Sequence, residues 1–245
     1  MKKGILLSGM LAVAGLAYGE GRTVSYEVKG RAYEGYYASP AGDAPLVLLV
    51  HDWDGLTEYE VKRAGMLEDL GYAVFAVDLY GAGVRPAEMA ERRRLTGALY
   101  ADRAEMRTRL LGGLAAARAQ GANIDNAVAI GYCFGGTAVL ELARSGVALK
   151  GFAPFHGGLA TPEGQDYSQT KGKIMVFHGS ADTSITLDEF AQLGKELEAQ
   201  GIAHEMTTYS GAPHAFSVFG SDRYRKDADT HSWDRFTRFL AETLR

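Results

Sequence analysis

Three stretches of this chain are almost entirely apolar: Pro45–Val50 (PLVLLV), Ala73–Leu79 (AVFAVDL) and Ala127–Tyr132 (AVAIGY). A strand with one face in water alternates apolar and polar residues, whereas a run without alternation is a strand buried on both faces. Segments of helical spacing separate these runs. Glu58–Leu70 places Val61, Ala64, Met66, Leu67 and Leu70 at helical intervals and stops at Gly71, and Ala87–Tyr100 and Arg103–Ala119 read as helices with mixed charge outside. Further along, Leu149–Phe155, Lys173–Phe177 and His204–Tyr209 read as strands. Gly135–Arg144, Leu187–Ala199 and Asp227–Leu244 read as helices, the last with Trp233, Phe236, Phe239 and Leu240 on one side. Only the start breaks the rhythm: Thr23–Val28 and Arg31–Ala38 flank Lys29-Gly30 and predict an antiparallel hairpin. Strands alternating with helices over short linkers predict an α/β fold, a mostly parallel sheet with helices on both faces. No internal repeat interrupts the pattern, so residues 20–245 are expected to form one domain.

The first residues follow a different logic. Lys2 and Lys3 precede an uncharged, mostly apolar stretch from Gly4 to Ala17, and Ala17-Tyr18-Gly19 offers small residues at a cleavage site. This is the pattern of a secretory signal peptide over residues 1–19, cut after Gly19. The apolar stretch is shorter than the ~20 residues that a membrane anchor needs. An exported protein without a stable membrane anchor is expected, in the bacterial periplasm. The net charge of −4 and the lack of a basic stripe argue against a nucleic-acid partner. Arg92-Arg93-Arg94 reads as a solvated helix face, although an arginine there can also meet an anionic substrate. The chain has one cysteine, Cys133, so it cannot form an intramolecular disulfide. A lone thiol in an oxidising compartment is either buried and inert or kept for chemistry.

In a parallel sheet, ligands bind beyond the carboxyl ends of the strands. After Ala127–Tyr132 comes Gly131-Tyr132-Cys133-Phe134-Gly135-Gly136, the cysteine form of the Gly-x-Ser-x-Gly elbow. A sharp strand-to-helix turn needs glycine two residues before and after the nucleophile. It sets the sulfur at a helix N-terminus, where the dipole favours thiolate, and aims the Phe134 N–H at a forming oxyanion. Taken alone, the motif fits a buried structural cysteine as well. After Lys173–Phe177 comes His178-Gly179-Ser180-Ala181-Asp182, and after His204–Tyr209 comes Gly211-Ala212-Pro213-His214. Alone, Asp182 reads as a cap or turn residue and His214 as a surface histidine. Together they follow separate strands in the order nucleophile, acid, histidine, which is the order of α/β-hydrolases. His178 closes a strand, His204 opens one and His231 lies in the last helix, while His156 follows a strand but precedes the acid. After Pro45–Val50 comes His51-Asp52-Trp53-Asp54-Gly55, where this fold takes its second oxyanion donor. That donor is assigned to the Trp53 N–H, with Asp52 or His51 near the thiol.

These motifs resemble the dienelactone hydrolase family of the α/β-hydrolase superfamily. The resemblance is carried by Gly131–Gly136, His178–Asp182 and Pro213-His214-Ala215-Phe216, supported by His51–Gly55 and Asp78-Leu79-Tyr80-Gly81, and runs from about Pro45 to the C-terminus. It implies a triad of Cys133, His214 and Asp182, no metal, no organic cofactor, and hydrolysis of an ester or lactone through a thioester. In the family a glutamate beside the thiol helps control its ionisation; the matching position is Asp52, one methylene shorter. The family also holds a substrate carboxylate with arginines, one shortly after the catalytic histidine. The matching stretch, Ser217-Val218-Phe219, has none.

The expected activity is therefore hydrolysis of a small ester or lactone by Cys133, His214 and Asp182, with Phe134 and Trp53 as oxyanion donors. Asp52, His51, Tyr80 and Phe216 are expected to tune the thiol or touch substrate. Trp53, Tyr80, Phe134, Phe155 and Phe216 lie near strand ends and either line an aromatic acyl pocket or pack the core. A monomer or homodimer is expected. Two other classes share the same residues: a non-catalytic binding protein on this fold, and a thiol-based redox protein. The intact Cys/Asp/His set argues against the first and the absence of a resolving cysteine against the second.

Overall fold

The computed structural model describes residues 21–245. Residues 1–19, read above as a signal peptide, lie outside the described residues, and no helix among those described is long and apolar enough to cross a membrane. The chain runs β1 (Arg22–Val28), β2 (Arg31–Ala38), β3 (Pro45–Val50), α1 (Glu58–Glu68), β4 (Ala73–Val77), α2 (Met89–Ala101), α3 (Arg103–Ala119), β5 (Asn123–Tyr132), α4 (Phe134–Arg144), β6 (Gly151–Phe155), β7 (Lys173–Gly179), α5 (Leu187–Ala199), β8 (His204–Tyr209) and α6 (Lys226–Thr243). One eight-stranded sheet has the order β1-β2-β4-β3-β5-β6-β7-β8. β2 is antiparallel to both β1 and β4, and every other pair is parallel. The hairpin turn places Lys29 at φ 49° and Gly30 at φ 77°. Two positive angles are what a two-residue turn needs to match the twist of its strands.

The apolar runs behave as their composition requires. In β3, Leu46, Leu48 and Val50 face a core with Met106, Leu110, Ala138 and Leu142 of α3 and α4. Val47 and Leu49 face the opposite core with Leu67, Phe236 and Leu240 of α1 and α6. All five are fully buried, so a polar residue at any of them would lose water without gaining a partner. The strand β5 starts at Asn123, earlier than the predicted Ala127. Asn123-Ile124-Asp125-Asn126 has only Ile124 as an apolar residue and so no apolar run, because it sits at the sheet's end where the register against β3 shifts between Pro45 and Leu46. The helix α1 ends at Glu68, short of the predicted Leu70, because the chain turns at Gly71 with φ 96°. This topology gathers the carboxyl ends of β3, β5, β6, β7 and β8 along one edge, and the loops there carry Asp52, Cys133, His156, Asp182 and His214.

Candidate active site

The elbow at Cys133 is built by backbone contacts. Cys133 adopts φ 50° and ψ −113° between β5 and α4, a conformation that non-glycine residues hold only when their surroundings impose it. A Cβ on Gly131 would stand 2.2 Å from the Gly135 carbonyl oxygen, and one on Gly135 would stand 2.3 Å from that of Val50. Both glycines are thus required, and the clash they avoid is with backbone rather than with the Cys133 side chain. The Cys133 N–H is shared between the Phe155 carbonyl oxygen at 3.0 Å and His156 Nδ1 at 3.2 Å. The Phe134 N–H donates toward the sulfur, where an N–H must lie to meet an oxyanion formed beside it.

Cys133, Asp182 and His214 come together. His214 Nε2 lies 3.0 Å from Cys133 Sγ, and His214 Nδ1 lies 2.8 Å from Asp182 Oδ2. The other oxygen, Asp182 Oδ1, accepts from the N–H groups of Ser184 at 2.8 Å and Ile185 at 2.9 Å. Burial opposes ionisation of Asp182, but the bonds from His214 and these two N–H groups outweigh it and hold its pKa below the ordinary aspartate value. A charged Asp182 keeps the proton on Nδ1 and leaves Nε2 free to accept one from sulfur.

The loop after β3 places Asp52 against the thiol. Burial, then the Asp52 charge and its bond to the thiol, push the Cys133 pKa well above its usual value. Asp52 in turn is pushed up to about 6 by burial and by Asp54, against the bonds it receives from the Trp53 N–H and Cys133. The Trp53 N–H therefore faces Asp52 Oδ1, at 2.5 Å. His51 is fully buried and spends both ring nitrogens on backbone, Nδ1 on the Asp52 carbonyl oxygen and Nε2 on the Leu79 N–H. It shapes the loop and does not reach the sulfur. Tyr80 donates to the Trp53 carbonyl oxygen at 2.9 Å and stacks on Phe134. Phe216 packs on His156 and Tyr209 in the interior, and Phe155 stacks on Phe177.

A cavity of about 360 Å³ opens over the sulfur, walled by Asp52, Trp53, Met89, Arg93, His214 and Arg223 among others. An aromatic acyl pocket formed from all five strand-end rings is not what the fold builds, because the alternation of β6 and the turn after His214 send Phe155 and Phe216 into the core. Two arginines stand in the wall instead. Both are exposed, and neither has an ion-pair partner among the described residues. Arg93 belongs to the charged run Arg92-Arg93-Arg94. Arg223 had no local signal: it sits nine residues past His214 and reaches the cavity only because the loop folds back. No group of His, Cys, Asp and Glu among the described residues is arranged to hold a metal ion.

The dienelactone hydrolase family model matches residues 33–244. The chain belongs to the dienelactone hydrolase family. That membership makes it a carboxylic ester or lactone hydrolase. Among relatives of this dienelactone hydrolase family member is a protein of Aquifex aeolicus (strain VF5), provisionally named a carboxymethylenebutenolidase, 25% identical over 92% of this chain and 100% of its own. Among solved structures, m3DLH superposes with a TM-score of 0.87 at 28% identity, covering 94% of this chain and 100% of that one. A dienelactone hydrolase-like promiscuous phosphotriesterase from metagenomic libraries superposes with a TM-score of 0.85 at 27% identity, covering 92% and 98%.

Proposed function

We propose that this dienelactone hydrolase family protein cleaves small esters or lactones by nucleophilic attack of Cys133, passing through a thioester. The observation that carries the reading is the unbroken line from Asp182 through His214 to the sulfur, with contacts of 2.8 and 3.0 Å. As Sγ attacks the carbonyl carbon, its proton passes to His214 Nε2. The oxyanion is met by the Phe134 N–H and, once Asp52 lets it go, by the Trp53 N–H. His214 then protonates the leaving alkoxide, the C–O bond breaks, and the acyl group stays on sulfur. Water attacks next, His214 takes its proton, and the carboxylic acid departs as the thiol is restored. The charge on Asp52 favours the protonated thiol at rest, which slows adventitious reaction without abolishing it until substrate displaces the carboxylate. The Lys2-Lys3 and Gly4–Ala17 pattern supports action in the periplasm.

The cavity of about 360 Å³ suits a small substrate, and the unpaired Arg93 and Arg223 favour one bearing an acidic group. A charge-assisted hydrogen bond is worth about 1.5–3 kcal/mol, so Arg93→Ala or Arg223→Ala should each raise KM for an ester with a free carboxylate roughly 10–100-fold. KM for the matching neutral ester should stay within about threefold. Equal losses on both esters would remove the acidic-substrate reading. The thioester is tested by rapid acid quench of the enzyme with p-nitrophenyl acetate and peptide mass spectrometry. One acetyl group is expected on the peptide containing Cys133, and a label on any other residue would overturn the assignment.

A further inference from the structure

We infer that His156 is a positioning residue that ties the nucleophile elbow to the loop of the catalytic histidine through Ser217; this rests on the Cys133 chemistry proposed above. His156 is buried, does not line the cavity, and has φ 39°. Cys133 at φ 50° and Ala215 at φ 62° share this uncommon conformation, so both ends of the reacting pair and the residue between them are held by their surroundings.

From the elbow to Ser217 the direction of the hydrogen bonds is fixed. The Cys133 N–H can only donate, so His156 Nδ1 accepts it at 3.2 Å and the ring proton lies on Nε2. Nε2–H then donates to Ser217 Oγ at 2.8 Å. The Tyr59 hydroxyl donates to the Ser217 carbonyl oxygen at 3.2 Å, and its oxygen lies 3.1 Å from Ser217 Oγ, a contact in which either hydroxyl can donate. Arg63 donates to Tyr59 at 3.1 Å and to the Ser217 carbonyl oxygen at 3.0 Å. Arg63 is itself buried and ion-paired with Asp229, with Phe219 and Trp233 within 4.8 Å of its guanidinium carbon. Burial, and His214 beside it, hold the His156 pKa well below the usual histidine value, so Nδ1 stays an acceptor.

Ser217 is three residues past His214. One end of the chain therefore grips the backbone of the nucleophile and the other grips the loop of its base, with Arg63 as the fixed post. Among the described residues, the elbow and the His214 loop meet directly in the contact of 3.0 Å between sulfur and His214 Nε2 and through side chains in this brace, while Ala181 N–H and Ser180 Oγ hold Ala212 and Gly211 from the loop of the acid. A misplacement of 1 Å in such a pair costs roughly 10²-fold in rate.

The test uses p-nitrophenyl acetate turnover, iodoacetamide alkylation of Cys133 and thermal melting on Ser217→Ala, His156→Leu, His156→Asn and the Ser217→Ala/His156→Leu double variant. Ser217→Ala removes one hydroxyl and should lower kcat about 5–10-fold with KM within about twofold. His156→Leu should lower kcat roughly 30–100-fold. The double variant should be no slower than His156→Leu, because both act through one chain. His156→Asn sets an amide oxygen near the place of Nδ1 and should recover part of the loss. Alkylation rates should fall in the same order. Unchanged kcat in Ser217→Ala, losses that multiply in the double variant, or Asn no better than Leu would each overturn the brace. If His156→Leu does not fold, Ser217→Ala and His156→Asn decide. A wild type that alkylates readily but does not turn over the ester defeats the proposed function instead, and the alkylation series then still reads the brace.

Discussion

Cys133→Ala should lower kcat for a small ester on the order of 10⁴-fold or more while leaving the melting temperature nearly unchanged. Removing a nucleophile from a working triad forfeits most of the rate enhancement, because the remaining members have nothing to activate. What survives is binding and the oxyanion donors, and those rest on the Phe134 and Trp53 backbone. The substitution is mild for the fold. Cys133 is only partly buried, alanine is smaller than cysteine, and the glycines that make room for the turn are untouched. The measurement is kcat on a panel of esters and lactones beside a thermal melt. Equal hydrolysis by wild type and Cys133→Ala would sink the central claim. It would also reopen the other two classes, a binding protein or a redox protein.

Asp182→Asn should lower kcat roughly 10³–10⁴-fold with KM little changed. The amide keeps an oxygen for the Ser184 and Ile185 N–H groups, which Asp182 Oδ1 now serves at 2.8 and 2.9 Å. The loop therefore keeps its shape. What changes is the partner of His214. With an amide N–H facing Nδ1, the imidazole favours the tautomer that carries its proton on Nε2, and such a histidine cannot accept a proton from sulfur. The depressed pKa of Asp182 means that wild type holds this charge throughout the neutral range, so the defect should persist at every pH where the enzyme is folded. The same variant should also slow alkylation of Cys133 by iodoacetamide, since no base remains to draw off the thiol proton. Retention of kcat within about fivefold would show that Asp182 caps its loop and does not orient the base.

Much of the molecule was legible from residue type. Val47 and Leu49 face one layer of helices while Leu46, Leu48 and Val50 face the other, and that double burial is why β3 shows no alternation at all. The start of β5 is hidden for the opposite reason, because Asn123–Asn126 has Ile124 as its one apolar residue and pairs with β3 through Asn123 alone before the register shifts. Cys133, Asp182 and His214 were readable because each follows a strand, and a parallel sheet brings strand ends to one edge. Residue type leaves Asp52 or His51 beside the thiol, because adjacent residues in a loop point in different directions, and only the fold shows that Asp52 takes that place while the His51 ring turns toward the Leu79 backbone.

Residue chemistry and spacing thus sufficed for the order of the elements, the antiparallel start, the need for Gly131 and Gly135, and the choice of Cys133, Asp182 and His214 as side chains that the fold brings together. These depend on local backbone sterics and on the period of burial, which a linear string records. Three features were decided only in three dimensions: the arginines that line the cavity over the sulfur, the hold of Asp52 on the Trp53 N–H, and the binding of His156 to both the elbow and Ser217. Each depends on where loops far apart in the chain come to rest, and the packing of α2 and of the segment between His214 and Arg223 settles that. A string of residues shows that Arg223 is charged; only the folded loop gives that charge something to face.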